Sequence, residues 1–252
     1  MSFGFGGKYR IGSATNAGKK YRDENQDSIG VYRPGLLGPR SPMCVVADGM
    51  GGYLGGSIAS STVVSEFITF YRQNHANMAA AEILREAASR AHQALKQKSK
   101  ADEKLSSMGS TVVAGILEVE QLILLNVGDS RAYQFQAGRM IQISKDQSKV
   151  AEMVSGGLLT QAEARSYPQR NVLTMSFSVR RTQLEPYEAV TPVKPGDRFL
   201  FCSDGLWAMV PDEEIQQFVE NMPVQRAADN LILQANYYGG ADNISAIVVE
   251  VR

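Results

Sequence analysis

Between Thr111 and Ile143 four strand-like runs follow one another closely: Thr111–Leu117, Leu122–Val127, Arg131–Gln136 and Met140–Ile143. Parallel neighbours would need crossovers of about a dozen residues or more. Gaps this short leave antiparallel pairing, and Ala137-Gly138-Arg139 marks a hairpin between the last two runs. Earlier apolar runs lie at Ile29–Tyr32 and Met43–Ala47, and later strands are expected at Glu185–Val190, Arg198–Cys202 and Asn243–Val251. Two long helical patterns interrupt the strands. Residues 57–73 carry Ile58, Val63, Val64, Phe67 and Phe70 at helical spacing. Residues 78–98, behind Asn77 as N-cap, carry Ile83, Leu84, Ala87, Ala91 and Leu95 on one face. Shorter helices fit Asp212–Asn221 and Val224–Ala235. Strands in runs, rather than in regular alternation with helices, predict an α+β fold.

The segment Lys145–Ser178 is polar, contains Gly156-Gly157 and has a capping-box pattern at Thr160–Glu163. It reads as a small helical insertion within one domain spanning 1–252. A chain of 252 residues is long enough to bury a sizeable core.

Five aspartates stand at strand ends. Asp48 follows Met43–Ala47, Asp129 follows Leu122–Val127, and Asp204 follows Phe199–Cys202. Asp27 and Asp242 instead precede the runs Ile29–Tyr32 and Ile244–Val251. In antiparallel sheets the end of one strand and the start of its neighbour share an edge, so all five can meet on one rim. Carboxylates gathered without cations repel one another and are driven to protonate. Hard divalent cations relieve this, and an all-oxygen donor set suits magnesium, manganese or calcium rather than zinc. Glycines beside Asp48 and Asp204 let backbone oxygens approach an ion. A single Asp-Gly pair is an ordinary turn; five aspartates placed in one topological sense favour a metal site.

Composition excludes several other classes. Lys+Arg and Asp+Glu balance at 26 each, so no global basic surface draws nucleic acid. No apolar run approaches the roughly 20 residues of a membrane span, and the first ten residues lack the apolar centre of a signal peptide, so a cytoplasmic location is expected. Cys44 and Cys202 sit in apolar runs and read as buried thiols. Met50 and Ala208 stand six residues on, where a cysteine-based phosphatase needs arginine. Only His75 and His92 exist, both in helical patterns, which argues against a histidine-rich zinc site. The segment from Gly12 to Lys20 imitates a P-loop but has its glycines one residue too far apart, and Lys20 replaces the Ser/Thr. A glycine-containing turn between strands is expected there.

Six motifs in order resemble the type 2C, metal-dependent protein phosphatases, in their bacterial form: Arg22-Asp23-Glu24-Asn25-Gln26-Asp27, Ala47-Asp48-Gly49-Met50-Gly51-Gly52, Gly109-Ser110-Thr111, Gly128-Asp129-Ser130-Arg131, Ser203-Asp204-Gly205 and Asp242-Asn243-Ile244-Ser245. The resemblance implies a four-layer α-β-β-α sandwich of two antiparallel sheets flanked by helix pairs. It implies hydrolysis of phosphoserine and phosphothreonine in proteins, reversing a Ser/Thr kinase in bacterial signalling. Two manganese or magnesium ions would serve the core site, with a third beside it. Asp48 would bridge the pair, with the Gly49 carbonyl on the second ion. Asp204 and Asp242 would complete the first, Asp27 would lie by the second, and Asp129 with Asp204 would take the third. Arg22 would bind the substrate phosphate, so Arg22 and Asp48 are the expected catalytic residues. Lys145–Ser178 would be a flap that tunes substrate choice in a monomer.

Some positions depart from the pattern. Met50 replaces a histidine of eukaryotic members and cannot donate a proton. Gln26 replaces a glutamate, and Ser57 stands where bacterial members commonly carry glutamate. In the flap, Asp146-Gln147-Ser148 replaces Asp-His-Ser, and Thr174-Met175-Ser176-Phe177-Ser178 replaces Thr-Arg-Ala-Leu-Gly. The alternative to an enzyme is a pseudophosphatase, the same fold acting as a phosphoprotein-binding regulatory module. Its sequence mark would be a lost carboxylate, and all five are present.

Overall fold

The structure, a computed structural model, describes residues 8–20, 24–33, 41–51, 54–160, 163–164 and 167–252. Eleven strands among them form two sheets: β1 (Tyr9–Asn16), β2 (Asp27–Tyr32), β3 (Met43–Met50), β4 (Gly109–Ser110), β5 (Val112–Leu117), β6 (Gln121–Val127), β7 (Arg131–Gln136), β8 (Arg139–Gln142), β9 (Tyr187–Pro192), β10 (Arg198–Cys202) and β11 (Ile244–Val251). One sheet runs β1-β11-β10-β7-β8. The other runs β2-β3-β5-β6-β9, with β4 paired to β3. Every pairing is antiparallel.

Long helices α1 (Gly55–Asn74) and α2 (Ala80–Ala101) cover the second sheet. In the insertion lies α3 (Lys149–Ser155), capped by Ser148. After β10 comes one helical turn, α4 (Asp204–Trp207), then α5 (Asp212–Asn221) and α6 (Val224–Tyr237), which cover the first sheet.

Period-two alternation explains the layering. On β3, Met43, Val45 and Ala47 face α1 and α2, while Cys44 and Val46 face the other sheet. On β10 and β11, Phe199, Phe201, Ile247 and Val249 fill the space between sheets, and Leu200, Ala246 and Val248 meet α5 and α6. Both faces of these strands are buried, so they read as continuous apolar runs. The α-β-β-α order expected from the sequence is present. Among the described residues no helix is long and apolar enough to cross a membrane.

Three local expectations need correction. Asn77 does not cap α2; the cap position is Ala79, without a side-chain bond, and Asn77 lies in the turn after α1. The hairpin strand runs Arg139–Gln142, one residue early, because Ala137 (φ 51°) and Gly138 (φ 72°) both turn left-handed and form a two-residue loop. Gly12 belongs to strand β1 rather than a turn. A Cβ there would fall 2.4 Å from the Val224 and Gln225 backbone, so glycine admits the start of α6 against the strand.

Candidate metal centre

The strand ends deliver the five aspartates to one rim. Asp27 opens β2 and lies directly across from Asp48 on β3. The Asp48 backbone is fixed from both sides: its N–H donates to Thr111 Oγ1 (3.0 Å), and its carbonyl accepts from the Thr111 N–H (2.8 Å) and Ser110 Oγ (3.0 Å). Thr111 Oγ1 also pairs with Ser130 Oγ at 2.7 Å, linking this strand to the residue after Asp129. The Gly49 N–H donates to the Gln26 carbonyl (3.1 Å), and a Cβ at Gly49 would fall 2.0 Å from the Gly56 carbonyl oxygen. Only glycine fits so close an approach of β3 to the start of α1. At Gly205 a Cβ would fall 2.0 Å from the Asn243 carbonyl oxygen, which draws α4 against the loop bearing Asp242.

The carboxyls feel one another. Burial is the largest influence on each and raises its pKa. Asp27 is pushed up to about 7 by burial and by Asp204 and Asp242, against a lowering hydrogen bond from Ser203. Asp48 is raised well above its ordinary value by burial and then by Asp27, Asp204, Asp129 and Asp242. Burial, Asp204 and Asp146 raise Asp129 similarly. Asp204 is raised to about 6 by burial and Asp242. Asp242 is raised by burial, with Lys20 and Arg170 opposing. Two buried oxygens, Asp27 Oδ1 and Asp204 Oδ1, have no hydrogen-bond partner, as does Glu24 Oε1.

Among the described residues no three His, Cys, Asp or Glu side chains are drawn tightly enough together to hold an ion as they stand. The orphaned oxygens of Asp27 and Asp204, with the raised pKa values of all five carboxyls, mark what a bound cation would relieve. The donor set fits hard divalent cations, since it is all carboxylate oxygen. The same rim borders an open cleft of about 1400 Å3, with Asp129, Asp204 and Asp242 on one wall and insertion residues, Arg170 among them, on another. Arg22 lies outside the described residues.

Several site residues carried no assigned role in the sequence. Asn243 accepts from the Gln26 N–H (2.8 Å) and donates to the carbonyls of Ala17 (2.9 Å) and Glu24 (3.0 Å), tying the loop before β2 to the loop before β11. Ser203 Oγ donates to Asp27 Oδ2 (2.7 Å) and accepts from the Ser245 N–H (3.0 Å). Trp207 lines the cleft and donates from Nε1 to the Asp129 carbonyl (3.0 Å). The adjacency of Ser203 and Asn243 to the aspartates was the one available signal. Both cysteines are buried and free, and burial pushes the Cys44 thiol up to about 12 and raises Cys202 as well, so neither is a ready nucleophile.

The profile of the family described as protein phosphatase 2C matches residues 22–236. The serine/threonine phosphatase stp of Listeria innocua serovar 6a is 33% identical, with 92% of each chain covered. Among solved structures, the serine/threonine phosphatase Stp1 of Staphylococcus aureus superposes with a TM-score of 0.88 at 27% identity, covering 96% of this chain and 95% of that one. The catalytic domain of the phosphatase PstP, in complex with two manganese ions, gives 0.84 at 29% identity, covering 96% and 98%. With this profile match, this identity and the shared two-sheet architecture, the chain belongs to the protein phosphatase 2C family.

Proposed function

We propose that the whole chain is one catalytic domain that hydrolyses phosphoserine and phosphothreonine in proteins, reversing a Ser/Thr kinase in bacterial signalling, as a cytoplasmic monomer. The observation that carries this reading is a rim of five aspartates whose carboxyls are all raised in pKa, two of them with orphaned buried oxygens, with Asp129, Asp204 and Asp242 lining the adjoining cleft. Asp48, Asp204, Asp242 and Asp27, with the Gly49 carbonyl, would hold two manganese or magnesium ions, and Asp129 with Asp204 would hold a third. Bound there, paired divalent cations acidify water and offset charge on the phosphoryl group.

The chain's own residues hold that arrangement still. Thr111, Ser110 and Ser130 fix the Asp48 backbone, Ser203 orients Asp27, and Asn243 clamps the two loops that bring Asp27 and Asp242 together. Arg22 is assigned to the substrate phosphate, where a guanidinium offers paired donors. The flap, 145–178, walls the cleft and is where peptide context would be read.

The test is hydrolysis of a phosphothreonine peptide with EDTA and then with added manganese. Activity that requires manganese, survives thiol blocking and disappears in Asp48→Ala supports the reading. No activity and no manganese binding by calorimetry would instead indicate a phosphoprotein-binding regulatory module.

A further inference from the structure

Asp129 and the residues beside it in the turn are held by residues outside the carboxylate set. Trp207 closes the short helix that Asp204 opens, and its indole N–H donates to the Asp129 carbonyl (3.0 Å). The Arg131 guanidinium lies 3.5 Å over that same indole ring. Arg131 also forms a forked pair with Asp146 at the flap root, Nε–H to Oδ1 at 3.0 Å and Nη2–H to Oδ2 at 2.7 Å, with the two side chains 13% and 11% exposed. The next flap residue, Gln147, holds Gly128 in both directions. Its N–H donates to the Gly128 carbonyl (2.9 Å), and its Oε1 accepts from the Gly128 N–H (2.9 Å). Gly128 and Arg131, on either side of Asp129-Ser130, are therefore tied to the flap root, and the Asp129 carbonyl is tied to the helix that carries Asp204.

A buried ion pair adds little net stability. What a forked guanidinium stacked on an indole provides is a fixed direction. We propose that Trp207, Arg131 and Asp146 are positioning residues that set Asp129 relative to Asp204, and so set how tightly that carboxylate pair holds a cation. The proposal rests on the reading that Asp129 and Asp204 share an ion.

The experiment is calorimetric titration with manganese, alongside thermal melts of the metal-free proteins and hydrolysis over the same manganese range. It compares the wild type with Trp207→Phe, Asp146→Asn and Asp129→Asn. Trp207→Phe keeps an aromatic ring beneath Arg131 while removing the N–H donor along with one ring of the indole. In Trp207→Phe and Asp146→Asn the manganese-binding step that Asp129→Asn removes should weaken about tenfold or more, the range seen when partners behind a ligand are lost. The other steps should be unchanged, and half-saturating manganese for hydrolysis should rise in parallel. Wild-type isotherms in both variants, with that step lost in Asp129→Asn, would overturn the positioning role alone. Uniform weakening of every step together with a lower melting temperature would overturn it too, by showing a merely structural role. An unchanged isotherm in Asp129→Asn would overturn the shared ion and the positioning role together.

Discussion

Asp204 shows what a single carboxyl in this rim experiences. Its Oδ1 is buried without a donor, and burial and Asp242 raise its pKa to about 6. Asp204→Asn keeps the shape and removes the charge. Losing a residue behind a metal ligand already reduces affinity or activity by roughly 10–100-fold. Losing a ligand should lower turnover by about 100-fold or more, with the metal-free protein melting no lower than wild type. A phosphopeptide assay beside a thermal melt checks both parts, and retained turnover at ordinary manganese would remove Asp204 from the ligand set. The raised pKa values also set a pH dependence. Asp27 and Asp204 titrate near 7 and 6 when folded, but near 4 when unfolded. Between pH 4 and 7 the folded state therefore holds more protons than the unfolded one, and stability falls as pH rises. Metal-free protein should melt at a higher temperature at pH 5 than at pH 7.5, and manganese should narrow or reverse that difference. A melting temperature that rises with pH in EDTA would contradict the electrostatic picture.

At the scale of elements, the site is made by loops that strands hold in place. Asn243 joins three backbone groups across two such loops. Asn243→Ala would strand buried donors and acceptors worth about 1–3 kcal/mol each. It should cost about 2–4 kcal/mol in urea unfolding and raise half-saturating manganese, because Asp27 and Asp242 lose their common tie. The flap is anchored by apolar packing. Phe177 is fully buried against α2 and meets His92 edge-on, and its N–H donates to the Ser110 carbonyl (2.8 Å). Phe177→Ala should destabilise by about 3–5 kcal/mol, the usual range for emptying such a site. Urea unfolding measures it, and a loss below 1 kcal/mol would mean that the flap end packs independently. These anchors were hard to foresee. The sequence marked 145–178 as polar and interrupted, and the Thr160–Glu163 capping box does form, with Glu163 Oε2 accepting from the Thr160 N–H at 2.7 Å. That Met175 and Phe177 enter the core beside α2 depends on contacts far away in sequence.

For the whole molecule, antiparallel sheets in an α+β fold were legible from the apolar runs and short turns, and the four-layer order came from the resemblance of the motifs. β3 and β5 read clearly, since both faces are buried and their runs are wholly apolar. β1 did not, because it is an edge strand of mostly polar residues, held by β11 and by α6 behind Gly12. The carboxylate rim was legible from where the aspartates fall relative to strand ends. The serine, threonine, asparagine and tryptophan partners that hold them were not, because such residues are common in any loop and acquire meaning only when the two sheets face each other. The central claim is that this rim, built at one end of two sheets packed face to face, holds paired divalent cations at Asp48. The most direct measurement is an anomalous difference map from crystals grown with manganese. The account predicts two peaks roughly 3.5–4 Å apart, flanking the Asp48 carboxylate, with Asp204 and Asp242 on one of them. Manganese bound only elsewhere on the surface, with the Asp48 carboxylate free, would contradict it.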